Sequence, residues 1–121
     1  MRDARRYFDG YLGVNESALL VDANGLVLAG AYHVNGHDVA QGVSAALSGV
    51  SEQAFRATKH LDIGSWRSIS FETEAALVAI APIADAMLVV AAPLDVPLGA
   101  FSRTLTRCAA HAAALVAGGA S

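Results

Sequence analysis

VDANGLVLAG, residues 21–30, sets an Asn-Gly pair and a second glycine between aliphatic runs. Such a stretch can cradle a phosphate, hold a substrate or simply reverse the chain. A phosphate loop ends in Lys followed by Ser or Thr and opens a helix. No glycine-rich turn in this chain does so, and its one lysine, Lys59, stands far downstream. Asn24-Gly25 between two apolar runs is instead a hairpin signal, here read as a type I′ turn with positive φ at both central residues. The flanking runs ESALLVDA (16–23) and LVLAGAY (26–32) are apolar at nearly every position rather than at alternate ones. That pattern predicts a sheet with helices over both faces.

Upstream of the hairpin, Ala4, Tyr7, Phe8, Tyr11 and Leu12 fall at helical spacing and predict a short amphipathic helix over 3–12, ended near Gly10 to Gly13. Downstream, Val34 to Gly36 reads as a polar turn. Val39, Val43, Leu47, Val50, Ala54 and Leu61 then predict one long helix reaching Leu61, with Asp38 as its N-cap. SWRSISFE (65–72) alternates, with Arg67, Ile69 and Phe71 on one face and Trp66, Ser68, Ser70 and Glu72 on the other. Half-polar alternation of this kind fits an edge strand. ALVAIAPI (76–83) and MLVVAAP (87–93) read as buried strands turned at Ala84-Asp85. The last helix, Leu98 to Val116, carries Leu98, Phe101, Leu105, Cys108, Ala112 and Leu115 on one stripe and stops at Gly118-Gly119. The order α-β-β-α-β-β-β-α implies an α+β sandwich of two or three layers. A five-stranded antiparallel sheet would carry one long helix on one face and the terminal helices on the other.

The length of 121 residues fits a single domain spanning 1–121. Hydrophobic residues make up 55% and charged residues 16%, against about 25% charged in an ordinary soluble domain, which suggests a surface partly covered by another subunit. The net charge of −3 offers no global attraction to nucleic acid or anionic lipid. Apolar runs broken by Pro82, Asp85 and Pro93 fall short of the roughly 20 residues of a membrane helix, so no membrane insertion is expected. One cysteine, no internal disulfide and no apolar leader in MRDARRYFDG point to an intracellular, cytoplasmic protein.

No catalytic constellation stands out. His33 and His37 are four apart but flank Asn35-Gly36, a turn, and no Cys or Glu/Asp pair sits nearby at ligand spacing, so no metal is expected. His60 and His111 are isolated on helices. Cys108 lies on an apolar stripe and reads as a buried structural thiol. The serines show no nucleophile elbow, and Glu72, Glu74, Asp85 and Asp95 sit at turns. No cofactor site is expected.

Two patterns point to binding. Opposite the apolar stripe of the middle helix lie Gly42, Ala45, Ser48, Gly49 and Glu52, with Phe55 beyond. Glycine inside an exposed helix costs about 1 kcal/mol relative to alanine, so small residues on that face suggest close approach of a second helix. Trp66, Ser68 and Ser70 of the edge strand join them as a candidate dimer interface. Separately, Arg2, Arg5, Arg6, Arg103 and Arg107, five of eight basic residues, lie at the chain ends and would form one basic, partner-binding face if the terminal helices pack together.

Taken in order, the hairpin ALLVDANGLVLAG (18–30), the helix after it, SISFETE (68–74), ALVAIAPIADAMLVVAA (76–92) and PLGAFSRTL (97–105), with its Leu98-Gly99, resemble the Roadblock/dynein light chain family. The resemblance spans nearly the whole chain. It implies a profilin-like sandwich that homodimerises through the edge strand and the long helix. It also implies a non-catalytic module that regulates or scaffolds a small Ras-like GTPase, in bacteria and archaea often in cell polarity or motility. Two other readings stay open: a ligand-sensing domain of the PAS, GAF or profilin-like kind, against which the polar-poor strands argue, and a purely structural dimer.

Overall fold

The structure is a computed structural model, described here for residues 4–13, 15–34, 37–38, 40–47, 50–61, 64 and 66–118. Its strands are β1 (Ser17–Val21), β2 (Val27–Ala31), the short pair β3 (His33–Val34) and β4 (His37–Asp38), β5 (Ile69–Glu72), β6 (Ala76–Ile83) and β7 (Ala86–Pro93). Its α-helices are α1 (Ala40–Leu47), α2 (Val50–Leu61) and α3 (Leu98–Gly118). Five strands form one antiparallel sheet in the order β2-β1-β7-β6-β5. The longest strands, β6 and β7, and their neighbour β1 fill the centre, which is why they read as continuous apolar runs.

Strand alternation divides the core in two. Ala18, Leu20, Leu77, Ala79, Leu88 and Val90 face α3, where Phe8, Phe101, Cys108 and Ala112 bury against them. Leu19, Val21, Val78, Ile80, Met87 and Val89 face the other way, toward Ala40 and Val43 of α1. The expected sandwich is therefore present, with the middle helical region on one face and the chain ends on the other. Six of the sixteen residues of β6 and β7 are alanines, so the bulk comes from their Leu, Ile, Val and Met side chains; burying one Leu is worth roughly 1.5–3 kcal/mol.

The opening hairpin forms, but not around a type I′ turn. Asn24 is not at positive φ, and Gly25 takes φ +83°. Gly25 N–H donates to the Asp22 carbonyl at 3.1 Å, and Asp22 N–H to the Leu26 carbonyl at 2.9 Å. Asp22 Oδ1 accepts from the Asn24 and Leu26 amides, each at 2.9 Å. The loop is thus three residues long, a β-turn completed by a left-handed glycine. The Asp22 carboxylate supplies the acceptor that a two-residue turn would not need. Register then shifts between Leu20 and Val21, which face Ala29 and Val27, leaving Leu28 as the bulged residue.

Gly30 is at φ +88° inside β2, and a Cβ there would overlap the Ala18 carbonyl oxygen. Ala84 turns β6 into β7 at φ +53°, a left-handed conformation that non-glycine residues seldom adopt.

Three expectations need correction. The N-terminal helix over 3–12 is instead two 3₁₀ turns, Ala4–Arg6 and Asp9–Tyr11. So short a helix is marginal by itself, and side-chain anchoring sets the backbone here. Of the helix expected up to Leu61, the described residues form α1 and α2, and Ser48 and Gly49 between them lie outside the described residues. Asp38 pairs with His33 in β4, and α1 begins at Ala40. Leu98, expected on the buried stripe of the last helix, is 72% exposed, because it opens α3 beyond the packed part of the sheet.

Candidate interaction surface

β5 is the last strand on its side of the sheet, with β6 on one flank only. It is exposed at all four positions. Ile69 and Phe71 lie opposite Ile80 and Val78, so they share the α1 face, where they stay 37% and 43% exposed. Ser70 and Glu72 lie opposite Ala79 and Leu77 and share the α3 face. Thr73 ends the strand: its hydroxyl oxygen accepts from the Ala75 and Ala76 amides at 3.2 and 3.0 Å.

Of the expected interface residues, Trp66, Ser68 and Ser70 lie in or just before this strand, and the others lie in the middle helices. Ser70 lies in β5, and Ser68 just before it; both are exposed. Trp66 is half-buried against the Val78–Ile80 side of the core, the face of Ile69 and Phe71, and not with the serines as simple alternation predicted. Regular strand geometry begins only at Ile69, so the two-residue period does not reach back to Trp66. Gly42 is exposed on α1, with open space where a Cβ would stand. Ala45 lies in α1, and Glu52 and Phe55 in α2. Ser48 and Gly49 lie outside the described residues. Sequence reasoning named the serines of this strand and left out Ile69 and Phe71, the exposed apolar residues that alternate with them.

The chain ends do come together. Tyr7 stacks on His111 of α3, with ring centroids 4.0 Å apart, and Tyr11 and Phe8 complete an aromatic collar around the imidazole. This brings the N-terminal turns, with exposed Arg5 and Arg6, onto the same face of the sheet as α3, with exposed Arg103 and Arg107. Arg6 also pairs with Asp9 at 3.3 Å, an exposed contact of little energetic weight. Arg2 lies outside the described residues.

Two open grooves flank α3. One, of about 350 Å³, runs between β5 and the start of the helix, over Leu77, Phe101 and Leu105. The other, of about 490 Å³, lies at the helix's far end, between Leu115, Val116, Leu28 and the turns that carry Asp22 and Asp85. Neither holds a buried polar side-chain atom without a hydrogen-bond partner among the described residues. Cys108 is fully buried, and burial pushes its thiol up to about 11, with the Glu16 carboxylate adding to the shift. A thiol so placed is a core side chain and a poor nucleophile. Among the described residues no group of His, Cys, Asp and Glu could hold a metal ion, and no helix is long and apolar enough to cross a membrane.

A five-stranded antiparallel sheet with α1 over one face, α3 over the other and one bare edge defines a roadblock-type α+β sandwich. The Roadblock/LC7 domain model matches residues 13–92, and the chain belongs to that family. Three solved structures show the same fold. A Roadblock/LC7 domain from Streptomyces avermitilis is 21% identical with a TM-score of 0.71, over 89% of this chain and 92% of its own. The gliding protein MglB from Thermus thermophilus is 18% identical with a TM-score of 0.75, over 95% and 92%. MglB from Myxococcus xanthus is 13% identical with a TM-score of 0.76, over 93% and 90%. No curated protein sequence registers as a match.

Proposed function

We propose that the protein is a non-catalytic, homodimeric binding module of 121 residues that regulates or scaffolds a small Ras-like GTPase. The observation that carries the self-association is the bare edge of β5, where Ile69 and Phe71 keep apolar surface exposed on the α1 face of the sheet. An edge strand with apolar side chains and unpaired backbone is a template for another chain. The GTPase half of the reading rests on family membership. In that reading the module contributes no catalytic side chain and acts by positioning the GTPase's own residues. Its basic residues Arg5, Arg6, Arg103 and Arg107, together with Arg2 of the sequence, would offer a surface for an acidic partner, and the site of action is the cytoplasm. A solved MglB with a tetrameric arrangement, 19% identical, is in keeping with a fold that assembles.

The test has two arms. Sedimentation gives the oligomeric state, and a dimer is expected at micromolar concentration. GTP hydrolysis by a small GTPase encoded beside this protein, measured with and without it, is expected to change rate. A monomer that neither binds nor alters such a GTPase overturns the proposal.

A further inference from the structure

We propose that the groove at the far end of α3 docks a basic amphipathic segment of a partner protein, with aliphatic side chains on the groove wall and a Lys or Arg against Asp22 and Asp85. Such docking involves neither β5 nor the GTPase reading above.

Strand order brings two acidic turns together. β1 and β7 are neighbours with Val21 opposite Met87, so the hairpin loop that begins at Asp22 and the β6–β7 turn that carries Asp85 stand side by side at one end of the sheet. α3 runs to this end and stops at Gly118. The groove of about 490 Å³ lies between them, with Leu28, Leu115 and Val116 as its apolar wall. Leu28 is 42% exposed, so that wall is wet in the isolated chain.

The charge of the groove is one-sided. Asp22 uses Oδ1 to accept from the Asn24 and Leu26 amides, which hold its carboxylate in place, and Oδ2 has no partner among the described residues. Asp85 is exposed and pairs with no cation among the described residues. No described Lys, Arg or His lines the groove, and the last turn of α3 carries no basic residue to offset the negative end of the helix dipole. Among the described residues no His, Cys or further carboxylate joins the two aspartates, so the donor set suits an ammonium or guanidinium group better than a metal ion.

The open shape selects a chain segment over a small molecule. Small-molecule sites bury about 70–90% of their ligand, and this groove has no roof. A peptide needs none: it lays its apolar side chains on the wall and runs on past both turns. Its cation then meets the carboxylates, which is the charge complementarity of a specific interface.

The probe is a capped amphipathic peptide of about fifteen leucines and lysines, long enough to form a helix, titrated into nitrogen-15-labelled protein. A matched peptide with glutamate for lysine is the control. The lysine peptide is expected to shift the amides of Asn24, Asp85 and Leu115 saturably, and the glutamate peptide to bind at least about tenfold more weakly. Asp85→Lys should cut the affinity for the lysine peptide at least about tenfold, while Asp95→Lys, the same charge change in the exposed loop before α3, should leave it within about twofold. Asp85→Asn should act in the same direction with a smaller loss, and it serves as the test if the lysine variant does not fold. No binding of the lysine peptide, shifts centred elsewhere, equal binding of the two peptides, or equal losses in Asp85→Lys and Asp95→Lys each overturn the proposal.

Discussion

Tyr7 and His111 hold each other by backbone and ring at once. The Tyr7 hydroxyl donates to the His111 carbonyl at 2.8 Å, His111 Nε2 lies 3.1 Å from the Tyr7 carbonyl, and the two rings stack 16° from parallel. Residues 104 positions apart are thereby clamped, and Phe8, next to Tyr7, is driven into the core.

That clamp should be measurable. Tyr7→Phe removes one hydrogen bond and should cost about 1 kcal/mol. His111→Ala removes the stack as well and should cost about 1–3 kcal/mol. In urea unfolding, the two losses should add in the double variant, because each side chain bonds the other residue's backbone carbonyl, which the second substitution leaves in place. Losses near zero in both single variants would mean the contact contributes nothing.

Gly30 and Gly42 should answer alanine in opposite ways. Gly30→Ala forces a left-handed Cβ onto the Ala18 carbonyl, and a loss above about 2 kcal/mol, or failure to fold, is expected. Gly42→Ala fills open space in a helix and should raise the unfolding free energy of the single chain by about 0.5–1 kcal/mol. Thermal melts of the two variants check both signs.

Ala84→Gly should stabilise the chain by up to about 1 kcal/mol, since glycine holds the left-handed conformation of the β6–β7 turn without the penalty an L side chain meets there. A clear loss would mean that the Ala84 side chain itself contributes packing.

Cys108 should resist alkylation in the folded protein at pH 8 and react within seconds once urea unfolds it. Its folded value of about 11 lies above the ordinary 9.0. Above pH 9 the unfolded chain releases this proton first, so stability should fall as pH rises from about 9 toward 11 and be unaffected by this group below that window. Cys108→Ala should remove that slope.

The sheet was legible because its central strands are apolar on both faces, and the edge because ISFE alternates. The N-terminal segment misled because Tyr7, Phe8 and Tyr11 sit at helical spacing, while what orders them is a ring on α3 that no local period reveals. The turn at Asn24-Gly25 misled because Asp22, outside the dipeptide, supplies the acceptor that makes the loop one residue longer. Of the proposed interface, the small-residue helix face and the serines were visible in the pattern. The placement of Ile69 and Phe71 required knowing which face α1 covers, a relation between distant segments.

The sheet has a second edge, β2, and it is built differently. Leu28 is bulged there and Gly30 bends the strand through a left-handed residue, so its outer backbone is not a straight row of donors and acceptors. A subunit with two straight edges could add copies indefinitely, head to tail, as a fibre. With one edge straight and the other crooked, the sheet offers a single strand as a template, and strand pairing of the kind proposed would end when two copies had met. The glycine that spoils β2 as a template would thereby limit the size of such an assembly.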